Sequence, residues 1–149
     1  MLIYKKSRQG GFTLIEMLIA VLIVGILMAV VVPSYQSSLA KSRRADARNA
    51  LMELATKQEL FFAQNSKYTT EISDAGTGLG LGRTSSEEGY YGLTATACSG
   101  GNINRCYQLR AQAKSPQKER DPNCYRMFID NTGKKWSKKN GGAETEGCW

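Results

Sequence analysis

From Phe12 to Val32, twenty-one consecutive residues carry one charge, Glu16, and otherwise only Thr13 as a polar side chain. At about 1.5 Å per residue a helix of this length spans roughly 31 Å, the thickness of bilayer hydrocarbon, so the run crosses a membrane once. Lys5, Lys6 and Arg8 precede it, and the positive-inside rule puts the N-terminus in the cytoplasm and the rest of the chain outside. A secretory signal carries its small-residue cleavage site after the apolar run, whereas here Gly10 and Gly11 stand before it. A cut between Gly11 and Phe12 leaves the membrane helix on the mature chain.

Glu16 is the costly residue. A carboxylate at the centre of a membrane helix costs about 2.5–3.5 kcal/mol on insertion scales, and less near an end that water reaches. After the cut, Glu16 is the fifth residue of a chain that begins with a free amine on Phe12. The amine of another copy neutralises the carboxylate when such helices bundle, because a buried charge is tolerated chiefly when paired. Glu16 thereby acts as a register pin for assembly.

Composition narrows the chemistry. Lys and Arg exceed Asp and Glu by 20 to 13 over 149 residues; without the three leader cations the balance is 17 to 13, or +4, an ordinary solvated surface. With no histidine, the usual base of nucleophile systems and the commonest metal ligand are missing. The expectation is a non-enzyme with neither cofactor nor metal. Cys98, Cys106, Cys124 and Cys148 are even in number and contain no CxxC pair, which suits disulfides in an oxidising compartment better than zinc or redox chemistry.

Five segments follow: a leader (1–11), a membrane helix (12–33), an amphipathic continuation (34–64), a connecting loop (65–89) and a sheet region (90–149). Beyond Pro33, Ala47, Ala50, Leu51, Leu54 and, after Gln58, Phe61 recur at helical spacing, with Lys41, Arg43, Arg44, Arg48 and Lys57 around them. Pro33 lacks an amide donor and Gly25 lowers helix propensity, so a bend is expected at these positions. The loop contains "GTGLGLG" (76–82), which lacks phosphate-cradling spacing and reads as a surface connection. "YYGLTATA" (90–97), "CYQLRAQAK" (106–114) and "CYRMFID" (124–130) are strand candidates, and "DNTGKKW" leads into a short last strand. Tyr90 and Tyr91 read as sheet residues. The fold class is α+β, an antiparallel sheet laid on one side of the long helix.

The stretch "GGFTLIE" (Gly10 to Glu16), the apolar run after it and Pro33 as the 22nd mature residue closely resemble the type IV pilins and their type II secretion relatives. That resemblance implies a pilin fold, cutting after Gly11 by a prepilin peptidase, N-methylation of Phe12, and a role for Glu16 in docking subunits. "SRRADARNAL", "YGLTATA" and the spacing of "DPNC" to the closing "CW" resemble the PilE-like minor-pilin branch of type IVa pili. There the closing cysteines staple the C-terminal loop, which implies Cys124 with Cys148 and leaves Cys98 with Cys106 as an added pair. The additional mid-helix proline that many pilins carry is absent here.

"KKWSKK" (134–139) sets Lys134, Lys135, Lys138 and Lys139 around Trp136, an interleaving that suits phosphate backbones or single strands. A solvated turn beside a short strand is the preferred account, because Gly141, Gly142, Glu144 and Glu146 flank the run. The expected function is a structural subunit, a minor pilin, of a filament serving motility, adhesion or DNA uptake. The alternatives are a DNA- or surface-binding pilin and a type II secretion pseudopilin. Implied partners are other pilins through the N-terminal helix, the prepilin peptidase, the inner-membrane assembly machinery and the membrane before assembly, with DNA not favoured. The implied location is the inner membrane, then the extracellular pilus.

Overall fold

The structure, a computed structural model, describes residues 11–149; Gly10 and the leader cations Lys5, Lys6 and Arg8 lie outside the described residues. The chain divides into two compact units, one ending at Tyr35 and one comprising Gln36–Trp149.

In the first unit a helix, α1 (Leu14–Asn65), begins and runs without interruption through Gly25 and Pro33. Its first turn is closed reciprocally: the Glu16 amide donates to Thr13 Oγ1 (3.2 Å) and the Thr13 amide to Glu16 Oε2 (3.5 Å). This is a capping box, in which Thr13 and Glu16 each satisfy an amide that the helix leaves unpaired. Pro33 has no amide to offer the carbonyl of Ala29. From Leu14 through Val32 the large apolar side chains are all exposed, as a membrane or neighbouring helices require.

In the second unit α1 continues from Gln36 to Asn65 and buries Ala40, Ala47, Ala50, Leu51, Leu54 and Gln58, the spacing of one helix face. Five antiparallel strands form a meander in chain order: β1 (Tyr91–Ala97), β2 (Tyr107–Ala113), β3 (Arg126–Asp130), β4 (Lys135–Lys138) and β5 (Glu144–Thr145). Their inward residues, including Leu93, Ala95, Leu109, Ala111, Met127 and Ile129, close one core with the helix. Small residues on both surfaces let helix and sheet approach closely.

Several boundaries differ from the sequence expectation. The helix ends at Asn65. Residues 122–124 form a 3-10 turn, and β3 begins only at Arg126 because Pro122 and the buried Cys124 hold the chain in that turn. Of the tyrosine pair only Tyr91 enters a strand; Tyr90 lies beneath the Arg43 guanidinium at 4.1 Å from its ring centroid. A four-residue helix, α2 (Gln117–Arg120), and β5 are too short to announce themselves by periodicity.

The loop after α1 is fastened rather than loose. Gln58, fully buried, donates from Nε2 to the Thr69 carbonyl (2.5 Å) and accepts from the Thr69 amide (3.2 Å), so one side chain replaces a strand neighbour. Ile72, Leu79 and Leu81 then cover the core edge. A Cβ at Gly78 would collide with the backbone of Glu71, whose carbonyl accepts the Leu79 amide at 3.0 Å.

Tyr91 is fully buried, and that burial pushes its phenol up to about 12, although Gln117 Nε2 donates to its oxygen at 3.2 Å. Burial and then the charge of Glu59 also raise Tyr107. Both phenols hold their protons more tightly folded than unfolded, so their stabilisation is complete below about pH 10 and is lost as the pH rises through the folded values. We expect the melting temperature to fall between about pH 10 and pH 12, and Tyr91→Phe to shrink that fall. An unchanged alkaline profile in the variant contradicts the assignment.

Candidate functional site

The residues expected to act cluster in three places. At the N-terminus Gly11 and Phe12 precede the helix; among the described residues nothing would touch a Cβ at Gly11, and Phe12 is 75% exposed. Glu16 stands one turn on and is exposed, with its carboxylate shared with the capping box.

The second place is the closed C-terminal region. The structure pairs Cys98 with Cys106 and Cys124 with Cys148. Gly101 is required by the first pair, since a Cβ there would occupy the space of both sulfurs. The second pair is buried and lies beside an ion pair that sequence reasoning missed. Arg44 Nε and Nη2 donate to the two carboxylate oxygens of Asp121 at 2.6 and 2.9 Å, and Nη1 donates to the Gly147 carbonyl at 2.9 Å. The hydrogen bond to Asp121, partly opposed by burial, raises the Arg44 pKa. One guanidinium thus ties α1 to the turn at residue 121 and to the loop closed by Cys148. Its partners are 77 and 103 residues away, which no spacing pattern reveals.

The third place is the face of the sheet turned away from the helix. Strand alternation decides which residues share it. Trp136 and Lys138 point outward, while Lys135 faces the other way and lies over Trp149, 5.1 Å from its ring centroid. Lys139 has left the strand and turns, its amide donating to the Ala143 carbonyl. The lysine run is therefore divided: Lys138 pairs with Arg126 on the outward face, whereas Lys135 and Lys139 line a separate concavity with Trp136, Glu144 and Glu146.

Register assembles a different group there. Arg126 pairs with Lys138 on one side and Gln112 on the other; in the next row Arg110 pairs with Phe128, and Phe128 with Trp136. Phe128 and Trp136 stack with centroids 5.1 Å apart and planes 3° from parallel, leaving Phe128 only 6% exposed. Lys134 Nζ lies 5.9 Å from the Trp136 centroid, and the Trp149 indole donates to the Trp136 carbonyl at 3.0 Å. Arg110 Nε donates to Thr94 Oγ1 at 3.1 Å, and Arg126 stacks over Tyr125 with its Nε unbonded. Among the described residues the ion pairs are Arg44–Asp121 and Arg83–Glu53, so these outward cations have no carboxylate in contact. Asp130 on this face is committed to its turn, accepting from the Thr132 amide and hydroxyl and the Lys134 amide.

Concave surfaces elsewhere differ in charge: one is lined by Lys135, Trp136 and Lys139 together with Glu144 and Glu146. One groove beside α1 is lined by Asp46, Glu53, Glu87 and Glu88, with Arg83 already paired to Glu53. Among the described residues no cluster of three His, Cys, Asp or Glu side chains is arranged for a metal ion.

A capped apolar helix in the first unit and, in the second, a helical stretch packed on a five-stranded meander whose last loop is disulfide-closed define a pilin-type subunit. The family model described as type IV minor pilin ComP, DNA uptake sequence receptor, matches residues 33–128, and the chain belongs to that family. The prokaryotic N-terminal methylation motif matches residues 6–32. The major pilin PilA of Myxococcus xanthus is 37% identical over 71 residues, 48% of this chain and 32% of PilA. The major fimbrial protein FimA of Dichelobacter nodosus is 35% identical over 100 residues, 61% of this chain and 64% of FimA. Core protein G of the Aeromonas hydrophila type II secretion system is 32% identical over 66 residues, 44% of this chain and 46% of its own. The chain thus spans between 32% and 64% of the length of these curated relatives. A solved type IV pilin from Shewanella oneidensis aligns with a TM-score of 0.48 at 22% identity, over 74% of this chain and 97% of the other.

Proposed function

We propose that this chain is a type IV pilin whose globular unit captures DNA at the filament. The observation that carries this is the family match over residues 33–128, which runs from the helix through β3 and bears the description of a DNA uptake sequence receptor. The sequence alone favours a filament-building subunit, because its assembly motif is dense and in register whereas "KKWSKK" is short and flanked by Gly141, Gly142, Glu144 and Glu146; that run lies beyond residue 128, outside the matched segment. Arg110 and Arg126 lie inside it and face outward on the sheet.

The N-terminal unit serves assembly on this reading. A prepilin peptidase cuts between Gly11 and Phe12, Phe12 is N-methylated, and Glu16 pairs with the amine of a neighbouring pilin as the subunit leaves the inner membrane. Gly25 and Pro33 mark where the helix yields when packed. Matches to major pilins and to the methylation motif support this half of the account.

The test uses one preparation of the mature full-length chain in detergent. Intact mass is expected to equal residues 12–149 plus one methyl group. Titration with labelled DNA should give binding whose log affinity falls with log salt by about 0.9 per phosphate contact. A mass retaining Met1 to Gly11 contradicts the processing, and absence of DNA binding at low salt contradicts the receptor role.

A further inference from the structure

We propose that Asn140 is a site of spontaneous covalent modification, in which its side-chain amide is converted to a carboxylate through a cyclic imide closed by the Gly141 amide. The site lies in the hairpin between β4 and β5 and is independent of DNA capture.

Such a step needs a free nucleophile, a free leaving group and a backbone able to turn. Asn140 and Gly141 are the central residues of a turn closed by the Gly142 amide, which donates to the Lys139 carbonyl at 3.0 Å. Asn140 is exposed, and among the described residues neither its side chain nor the Gly141 amide has a hydrogen-bond partner. Gly141 and Gly142 have φ of +124° and +96°, and a Cβ at either would meet nothing within 4 Å. Two consecutive glycines let the chain rotate beside Asn140 and bring the Gly141 nitrogen onto Cγ.

The other asparagines lack one of these conditions. The amides that follow four of them are already donors: Ser66 to the Phe62 carbonyl at 2.8 Å, Arg105 to the Asn102 carbonyl at 3.0 Å, Cys124 to the Asp121 carbonyl at 3.2 Å, and Thr132 to the Asp130 carboxylate at 2.9 Å. Asn65 also commits its side-chain amide to the Phe61 carbonyl at 3.0 Å. Asn49 lies within α1, whose ladder holds the amide that follows it. Asn102 precedes Ile103, whose branched Cβ crowds the approach, and its side-chain oxygen accepts from the Asn104 amide at 2.9 Å.

At Asn140 the Gly141 nitrogen attacks Cγ; a C–N bond forms, the Cγ–Nδ2 bond breaks, and ammonia leaves with the proton that the Gly141 amide gives up. Water then opens the imide at either carbonyl. Opening at Cγ restores the normal main chain with an aspartate side chain. Opening at the main-chain carbonyl gives an isoaspartyl linkage, in which the chain runs through Cβ and Cγ. Either product adds a carboxylate beside Lys138 and Lys139 and lowers the net charge by one at neutral pH. The isoaspartyl form also lengthens the main chain inside a turn that two hydrogen bonds pin, the Lys139 amide to the Ala143 carbonyl at 2.8 Å and the Asn140 amide to the Pro122 carbonyl at 2.9 Å. The second of these ties the hairpin to the 3-10 turn that holds Cys124, so the change reaches the disulfide-closed loop.

The experiment incubates full-length mature protein in detergent at neutral and at mildly alkaline pH, then reduces it and cleaves it after glutamate. The fragment Arg120–Glu144 carries Asn123 and Asn131 as internal controls, and a synthetic peptide of residues 136–146 sets the rate of the motif without a fold. Asn140 should become a mixture of aspartate and isoaspartate within tenfold of the peptide rate, and faster at the higher pH because the attacking amide must lose its proton. Asn65, Asn123 and Asn131 should convert at least tenfold more slowly. Isoelectric focusing should show an acidic band growing at the same rate, which Asn140→Gln abolishes. Gly141→Ala, whose added methyl crowds ring closure, should slow conversion at least tenfold. Peptide mapping of both disulfides checks that each variant is folded; should Gly141→Ala not fold, the acidic band of Asn140→Gln decides alone. Conversion of Asn140 more than tenfold slower than the peptide, equal conversion of the other asparagines, aspartate formed without isoaspartate, or an acidic band that persists in Asn140→Gln overturns the proposal.

Discussion

Replacing Cys124 and Cys148 together by serine should lower the stability of the second unit by about 3.5 kcal/mol, the chain-entropy value for a closed loop of this size. The 24-residue separation leaves a longer loop than the 8-residue separation of Cys98 and Cys106, for which the same relation gives about 2.5 kcal/mol. Burial pushes in the same direction, since Cys124 and Cys148 are each 1% exposed whereas the other two are half-exposed. Loosening the C-terminal loop also removes the Gly147 carbonyl from Arg44, so one of the bonds joining α1 to that loop is lost. Urea unfolding of the full-length chain, followed by tryptophan fluorescence, measures both variants. The account requires the larger loss in the Cys124/Cys148 pair; a larger loss in the Cys98/Cys106 pair contradicts it.

Glu16 separates two roles that its position combines. Glu16→Ala removes both the capping box and the charge, whereas Glu16→Gln keeps a side chain that completes the box. Neither change should hinder membrane insertion, because removing a carboxylate makes the segment more apolar. If the carboxylate neutralises a neighbour's amine, breaking that buried pair costs about 3–5 kcal/mol, so both variants should fall in sheared filaments by on the order of 100-fold or more. Quantitative immunoblotting of filaments against membranes reads this directly. Wild-type incorporation of Glu16→Gln alongside loss of Glu16→Ala assigns the residue to the cap and removes the pairing.

Sequence periodicity carried the larger elements because burial imposes it. The Ala47–Leu51–Leu54 seam and the alternation in residues 107–113 are one-face patterns that only a helix and a strand bury. The short elements α2 and β5, of four and two residues, complete no period. The outward basic face was hidden for another reason. Arg110, Arg126 and Lys138 are distant in the chain and become neighbours only through the register of three strands, while the contiguous lysines are divided by the same alternation. Thr13 and Glu16 stand at capping-box spacing in the chain, a role for Glu16 that its charge within an apolar run does not suggest. Arg44 reads as one more surface cation on the helix until its 77-residue contact with Asp121 is seen.

The central claim is that the globular unit captures DNA while other pilins build the filament. Deleting the gene for this chain from the bacterium that encodes it, then counting pili by electron microscopy and measuring uptake of labelled duplex in the same culture, tests it most directly. The account predicts pili in near-normal number and uptake reduced to the background of cells without pili. Pili and uptake lost together, or uptake left intact, contradicts it.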